Sequence, residues 1–164
     1  MPRAVLCLAV AAWLSSVLAA RADEFAIDLE ARADKASKAA HAEKVALGTT
    51  PKQRPVLEAR AGQRVTVKWT LSSTDPKTTY KDVTVHFFAV KEEKAGQQTV
   101  PRLDKDVAVE TALSMDFKPK DSNEGELSFP LDKPGVYLLR VETLDAAQGE
   151  DGREYFAALD LVVR

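Results

Sequence analysis

Two histidines, His41 and His86, one internal methionine, Met115, and one cysteine, Cys7, are the soft donors available to this 164-residue chain. His86, His41 and Met115 could in principle hold copper. A compact copper site of the two-histidine kind also needs a cysteine, and Cys7 sits in an apolar N-terminal run. One cysteine also excludes a disulfide framework and any multi-cysteine zinc or iron–sulfur site. Ser72-Ser73-Thr74-Asp75 and Ser114 lie near acids, but a serine nucleophile needs a base, and no histidine motif accompanies them. No Gly-x-Ser-x-Gly elbow and no glycine-rich phosphate loop occurs. Carboxylate pairs can be drawn from Glu92, Glu93, Asp104, Asp106, Glu110 and Asp116, yet with 25 acids in the chain such pairs are expected on any solvated face. Asp145, Glu150, Asp151 and Glu154 crowd one loop without the alternating oxygen-ligand spacing of a calcium site. The expectation is a protein with no catalytic residue, no cofactor and no resident metal, with a metal-binding periplasmic protein kept as one alternative.

Binding is then the chemistry left to assign. Asp75-Pro76-Lys77-Thr78-Thr79-Tyr80 is a polar loop with an aromatic at its end, the best candidate for a contact with a protein partner. Trp69 alternates with valines and reads as core, which disfavours a carbohydrate platform. Arg64, Lys68 and Lys81 form no basic patch interleaved with aromatics, and the chain carries 23 basic against 25 acidic residues, so nucleic acid is excluded as a partner.

These residues must be positioned by strands. In Gln63 to Ser72, Val65, Val67, Trp69 and Leu71 fall on one face and Arg64, Thr66, Lys68 and Thr70 on the other, the period of a half-buried antiparallel strand. Lys81 to Val90 alternates similarly, but His86, Phe88 and Val90 make its far half apolar on both sides. That predicts an interior strand with one end covered. Further period-two series run through Val107 to Phe117, Leu127 to Leu131, Val136 to Leu144 and Tyr155 to Val163. Phe25, Ile27 and Leu29 open the series, and Val56 to Ala59 adds a short strand. Asp34 to Leu47 is rich in Ala, Lys and Glu, with Val45 and Leu47 as its few anchors, so helix and strand both stay open there. The polar segments 49–54, 91–106 and 145–153 are expected to be flexible connections. Seven or eight strands with no strand–helix–strand alternation predict an all-β antiparallel sandwich, with a short helix near the N-terminus as the one exception allowed.

Met1-Pro2-Arg3, an uncharged run from Ala4 to Ala20, and Ala20-Arg21-Ala22 have the layout of a secretory signal peptide cut before Asp23. Residues 1–22 are therefore expected to be a leader and 23–164 a single domain, secreted or periplasmic, with no membrane span once the leader is removed. Arg3 and Arg21 leave with the leader, so the remainder has 21 basic and 25 acidic residues, and no cysteine. Stability would then rest on the core alone.

Leu131-Asp132-Lys133-Pro134-Gly135-Val136-Tyr137 is the most specific local pattern in the chain. Pro134 presets φ, Gly135 permits a left-handed turn, and Tyr137 follows two residues into the next strand, its hydroxyl within reach of the turn's backbone. This segment resembles the tyrosine corner of immunoglobulin-like and fibronectin-type sandwiches. Val56 to Val67, a strand, an Ala-Gly turn and a strand, is similar to the opening of bacterial immunoglobulin-like extracellular modules. The resemblance spans about residues 55 to 163 and implies an immunoglobulin-like sandwich. It implies no catalytic residue, and the cysteine pair of the antibody branch is absent. The Pro-Thr-Thr-aromatic order of the 75–80 loop resembles one binding loop of chagasin-type cysteine-protease inhibitors, which implies an inhibitor or carrier as the alternative role. That family's glycine-rich loop and Arg-Pro-aromatic loop have no counterpart here.

Overall fold

The computed structural model describes residues 24–34, 38–44, 53–97, 101–144 and 155–164. The expected leader, Val45 and Leu47, and the acidic group Asp145, Glu150, Asp151 and Glu154 lie outside them. Nine strands are present among the described residues: β1 Phe25–Ala33, β2 Ala40–Glu43, β3 Val56–Ala59, β4 Arg64–Ser73, β5 Tyr80–Glu92, β6 Val107–Phe117, β7 Ser122–Pro130, β8 Gly135–Leu144 and β9 Tyr155–Val163. They form a four-stranded sheet in the order β2-β1-β4-β7 and a five-stranded sheet in the order β3-β9-β8-β5-β6. Every pairing is antiparallel except that of β3 with β9. The fold is all-β, and no described helix is long and apolar enough to cross a membrane.

Alternation explains the core. Val65, Val67, Trp69 and Leu71 of β4 are buried, and so are Val83, Val85, Phe87 and Ala89 of β5 on the facing sheet. Trp69 stacks on Phe87 at 5.8 Å with the rings 5° from parallel, joining the sheets at mid-height. At one end Phe25 gathers Tyr80, Phe117 and Tyr155 around its ring, at 4.9, 5.1 and 6.0 Å. Gly125 lies opposite Trp69 in the β4–β7 register, and a Cβ there would land within the indole, so the edge strand must be bare at this point for the ring to fit.

β5 lies between β8 and β6, and the outward side of its far half is covered. Phe88, Val90, Leu138 and Ala158 form a second buried cluster with Leu103, Val107 and Phe156 packed against it.

Three expectations need correction, and one open choice is decided. There are nine strands rather than seven or eight. Residues 40–43, in the stretch left open between helix and strand, are strand: Ala40 and Ala42 bury against the core and pair with Ala31 and Leu29, so tertiary pairing outweighs the helix propensity of the Ala-rich sequence there. The short series at Leu127 to Leu131 belongs to a longer strand that starts at Ser122, because pairing with β4 recruits its polar first half. The described residues of the first two polar connections are also held in place. Arg54 has a side chain only 13% exposed and reaches two buried carboxylates, with Nη2 2.6 Å from Glu92 and Nε 2.7 Å from Asp160. The backbone N–H of Gly96 donates to Asp160 at 2.7 Å, which ties the chain to β9 at this point.

Candidate functional site

The loop at 75–80 is held from within. One oxygen of Asp75 accepts the backbone N–H of Lys77 at 2.7 Å and of Thr78 at 3.1 Å, while the other accepts the Thr78 hydroxyl at 2.7 Å. The Thr78 hydroxyl and then the Lys77 amide hold the Asp75 carboxyl below its ordinary value. Pro76, Lys77, Thr78 and Thr79 stay exposed above this turn. Tyr80 does not join them. It is buried against Phe25, and burial, followed by the nearby charges of Glu24 and Asp75, pushes its phenol up to about 12. The aromatic that an inhibitor-like loop would display is an anchor under the loop instead.

A second loop lies beside it. The N–H of Lys120 donates to the carbonyl of Asp75 at 3.2 Å, and that of Ser73 to the carbonyl of Asp121 at 2.8 Å. The Asp121 carboxylate turns back to the backbone N–H groups of Ser122 at 3.0 Å and Lys118 at 3.4 Å. Both acids of this tip are thus engaged inward, while Lys77, Lys118 and Lys120 point to solvent. Among the described residues none of these three lysines has a salt-bridge partner. The described residues of these two loops thus present three lysines outward. Sequence reading found Lys77 but not the other two, which are brought alongside only by the β4–β7 pairing. Beneath the tip, Glu24 Oε2, Ser73 Oγ, Thr143 Oγ1 and the Tyr155 hydroxyl are buried without a hydrogen-bond partner.

The three residues weighed for copper are not brought together. His41 projects from the outer face of the four-stranded sheet and His86 from that of the five-stranded sheet, while Met115 packs on the core from β6. Both ring nitrogens of His86 face carboxylates, Glu142 at 3.0 Å and Glu110 at 2.9 Å, and Arg140 donates to the other Glu142 oxygen at 2.7 Å. His41 lies 3.2 Å from Asp28, and with Glu43 these exposed side chains put three donor atoms within 4.8 Å of one another. Ser72 is occupied with Ser122 at 3.0 Å. Trp69 is 4% exposed and offers no platform.

The corner residues lie at the opposite end. The Tyr137 hydroxyl donates to the carbonyl of Lys133 at 2.8 Å, four residues upstream. Gly135 sits at positive φ, in the range that favours glycine. Its φ of 152° is the mirror of extended backbone, and a Cβ would meet the Lys91 side chain, whose ammonium lies 3.5 Å from the Pro134 carbonyl.

No family model and no curated protein matches the chain. Among solved structures it is similar to the C-terminal domain of Wzt, at 14% identity and TM-score 0.43 over 66% of this chain and 63% of that one. It is also similar to the PmoD soluble domain from Methylocystis sp. ATCC 49242 (Rockwell), at 11% identity and TM-score 0.45 over 84% and 90%. The chain thus spans under two thirds of the Wzt domain. Scores below 0.5 make both distant likenesses and carry nothing further to this chain.

Proposed function

We propose that the chain is an exported, non-catalytic module with an immunoglobulin-like sandwich, which meets an acidic partner protein outside the cytoplasm through its lysine-bearing loop end. The observation that carries this reading is the tip itself. Two loops distant in sequence are locked together by backbone bonds, their carboxylates are turned inward, and their ammonium groups are presented outward. A contact loop held in one conformation loses little entropy on binding, and one-signed charge speeds encounter with a complementary surface. Export rests on the leader pattern at 1–22. The immunoglobulin-like assignment rests on the two facing sheets and on the Tyr137 bond to the backbone upstream of its strand.

A photo-crosslinking residue at Thr79, introduced in the native cell, tests the proposal. It is expected to capture a partner protein that the same label at Lys94, near the opposite end, does not. Lys77→Glu together with Lys120→Glu is expected to abolish the adduct without changing export or melting temperature. An adduct undiminished by the charge reversal defeats the reading.

A metal-binding role is the second reading, favoured by Asp28, His41 and Glu43 converging on adjacent strands. One nitrogen and two carboxylate donors suit zinc or a neighbouring divalent ion. Calorimetric titration with Zn²⁺ is expected to give one site per chain that His41→Ala removes and His86→Ala does not. No binding by the unaltered protein ends this reading.

A further inference from the structure

Among the described residues four strands lie at sheet edges, and three of them are blunted. β2 and β3 have four residues each, too short to template another chain. β7 presents Glu124 and Glu126, is bared at Gly125 and ends at Pro130. β6 is different. It runs for eleven residues, VAVETALSMDF, with no proline, glycine or lysine. Its two acids do not guard the edge, because both are tied back to β5: Glu110 to His86 at 2.9 Å, and Asp116 to the Lys81 ammonium and the Asp82 amide. Leu113 is 44% exposed, and Val109 and Met115 cover the core only in part.

We propose that β6 pairs antiparallel with β6 of a second copy of this chain, about a two-fold axis through Ala112, so that two five-stranded sheets become one continuous sheet. The register follows from the strand itself. The β5–β6 pairing is irregular between Tyr80 and Val83 and again between Ala89 and Val90, and between these breaks it runs without a gap from Met115 to Val109. Ala112 is the midpoint of that regular run. Pairing about it sets Val109 against Met115 and Thr111 against Leu113 on the core side, closing apolar surface over the half-exposed residues. On the outer side Glu110 meets Ser114, and Asp116 falls opposite Ala108. Charge selects this register over its neighbour, since an axis through Leu113 would set Glu110 directly against Asp116 twice, and like charges directly opposite are destabilising. An isologous contact of this kind closes on itself and uses up the β6 edge of both copies.

Sedimentation of the protein as recovered from the exporting cell, with Leu113→Lys and Ala112→Cys variants, tests the pairing. The unaltered protein is expected to dimerise at micromolar concentration. Leu113→Lys, which puts an inward-pointing charge on the edge, is expected to weaken the dimer at least roughly tenfold while the circular-dichroism spectrum stays unchanged. Cross-strand partners in antiparallel sheets sit about 4.5–5.5 Å apart at Cα, within disulfide reach. In a Cys7→Ser background, Ala112→Cys is therefore expected to oxidise to a disulfide-linked dimer faster than a cysteine at the exposed Lys68. A monomer up to roughly 100 μM, an unchanged dimer in Leu113→Lys, or equal oxidation rates at 112 and 68 would each overturn the proposal.

Discussion

The Tyr137 hydroxyl donates to the Lys133 carbonyl at 2.8 Å, so that a buried phenol locks the Pro134–Gly135 reversal to the strand it feeds. Removing the hydroxyl leaves a carbonyl without its partner. Tyr137→Phe is expected to cost about 1–3 kcal/mol, measured by urea denaturation. A change within a few tenths would mean that the bond does not stabilise the corner.

Tyr155 at the other end should behave in the opposite sense. Its hydroxyl is buried and has no hydrogen-bond partner among the described residues, so no bond there offsets its desolvation. Tyr155→Phe is expected to leave stability unchanged or raise it by up to about 2 kcal/mol. A loss of more than about 1 kcal/mol in the same denaturation series would show that the hydroxyl has a stabilising partner.

Gly125 and Trp69 share one volume. A methyl at 125 has to displace the indole, which is stacked on Phe87. Gly125→Ala is expected to destabilise by about 1–3 kcal/mol through overpacking and to shift the tryptophan emission to the red. Unchanged emission and stability would contradict the close approach.

Glu92 and Asp160 share the Arg54 guanidinium in a buried setting, and burial raises both carboxyls above their ordinary values despite that cation. Between the unfolded and the higher folded value, the folded protein binds more protons than the unfolded chain. Stability from this pair therefore rises as pH falls from neutral through the folded values, and levels off below the ordinary carboxylate range. Asp75 and Asp116, held low by their hydrogen bonds, act oppositely and only at more acidic pH. Denaturation curves collected from neutral pH down to about pH 5 should show a smaller rise for Glu92→Gln than for the unaltered protein. Parallel profiles would remove this pair as the cause.

Reading the chain alone was enough to place the buried face of β4, the interior position of β5 and the all-β class. A pleat puts every second side chain on one side, so Val65, Val67, Trp69 and Leu71 announce their common face locally. It was not enough at 40–43, where Ala-rich composition favours a helix in isolation and the ladder to β1 decides for strand. It also missed the first half of β7, whose polar residues carry little alternation because an edge strand needs little.

The candidate site was legible only as half a tip. Asp75 to Thr79 could be marked as an exposed loop from residue types, since an acid before Pro-Lys-Thr caps its own turn within a few bonds. That Lys118 and Lys120 stand beside Lys77, that Tyr80 turns inward, and that His41 and His86 occupy outer faces of different sheets were decided by strand order and register. Those are long-range hydrogen-bonding choices. Local sequence dictates which side of a strand is apolar, but only the assembled sheets determine which strands become neighbours, and so which charges meet.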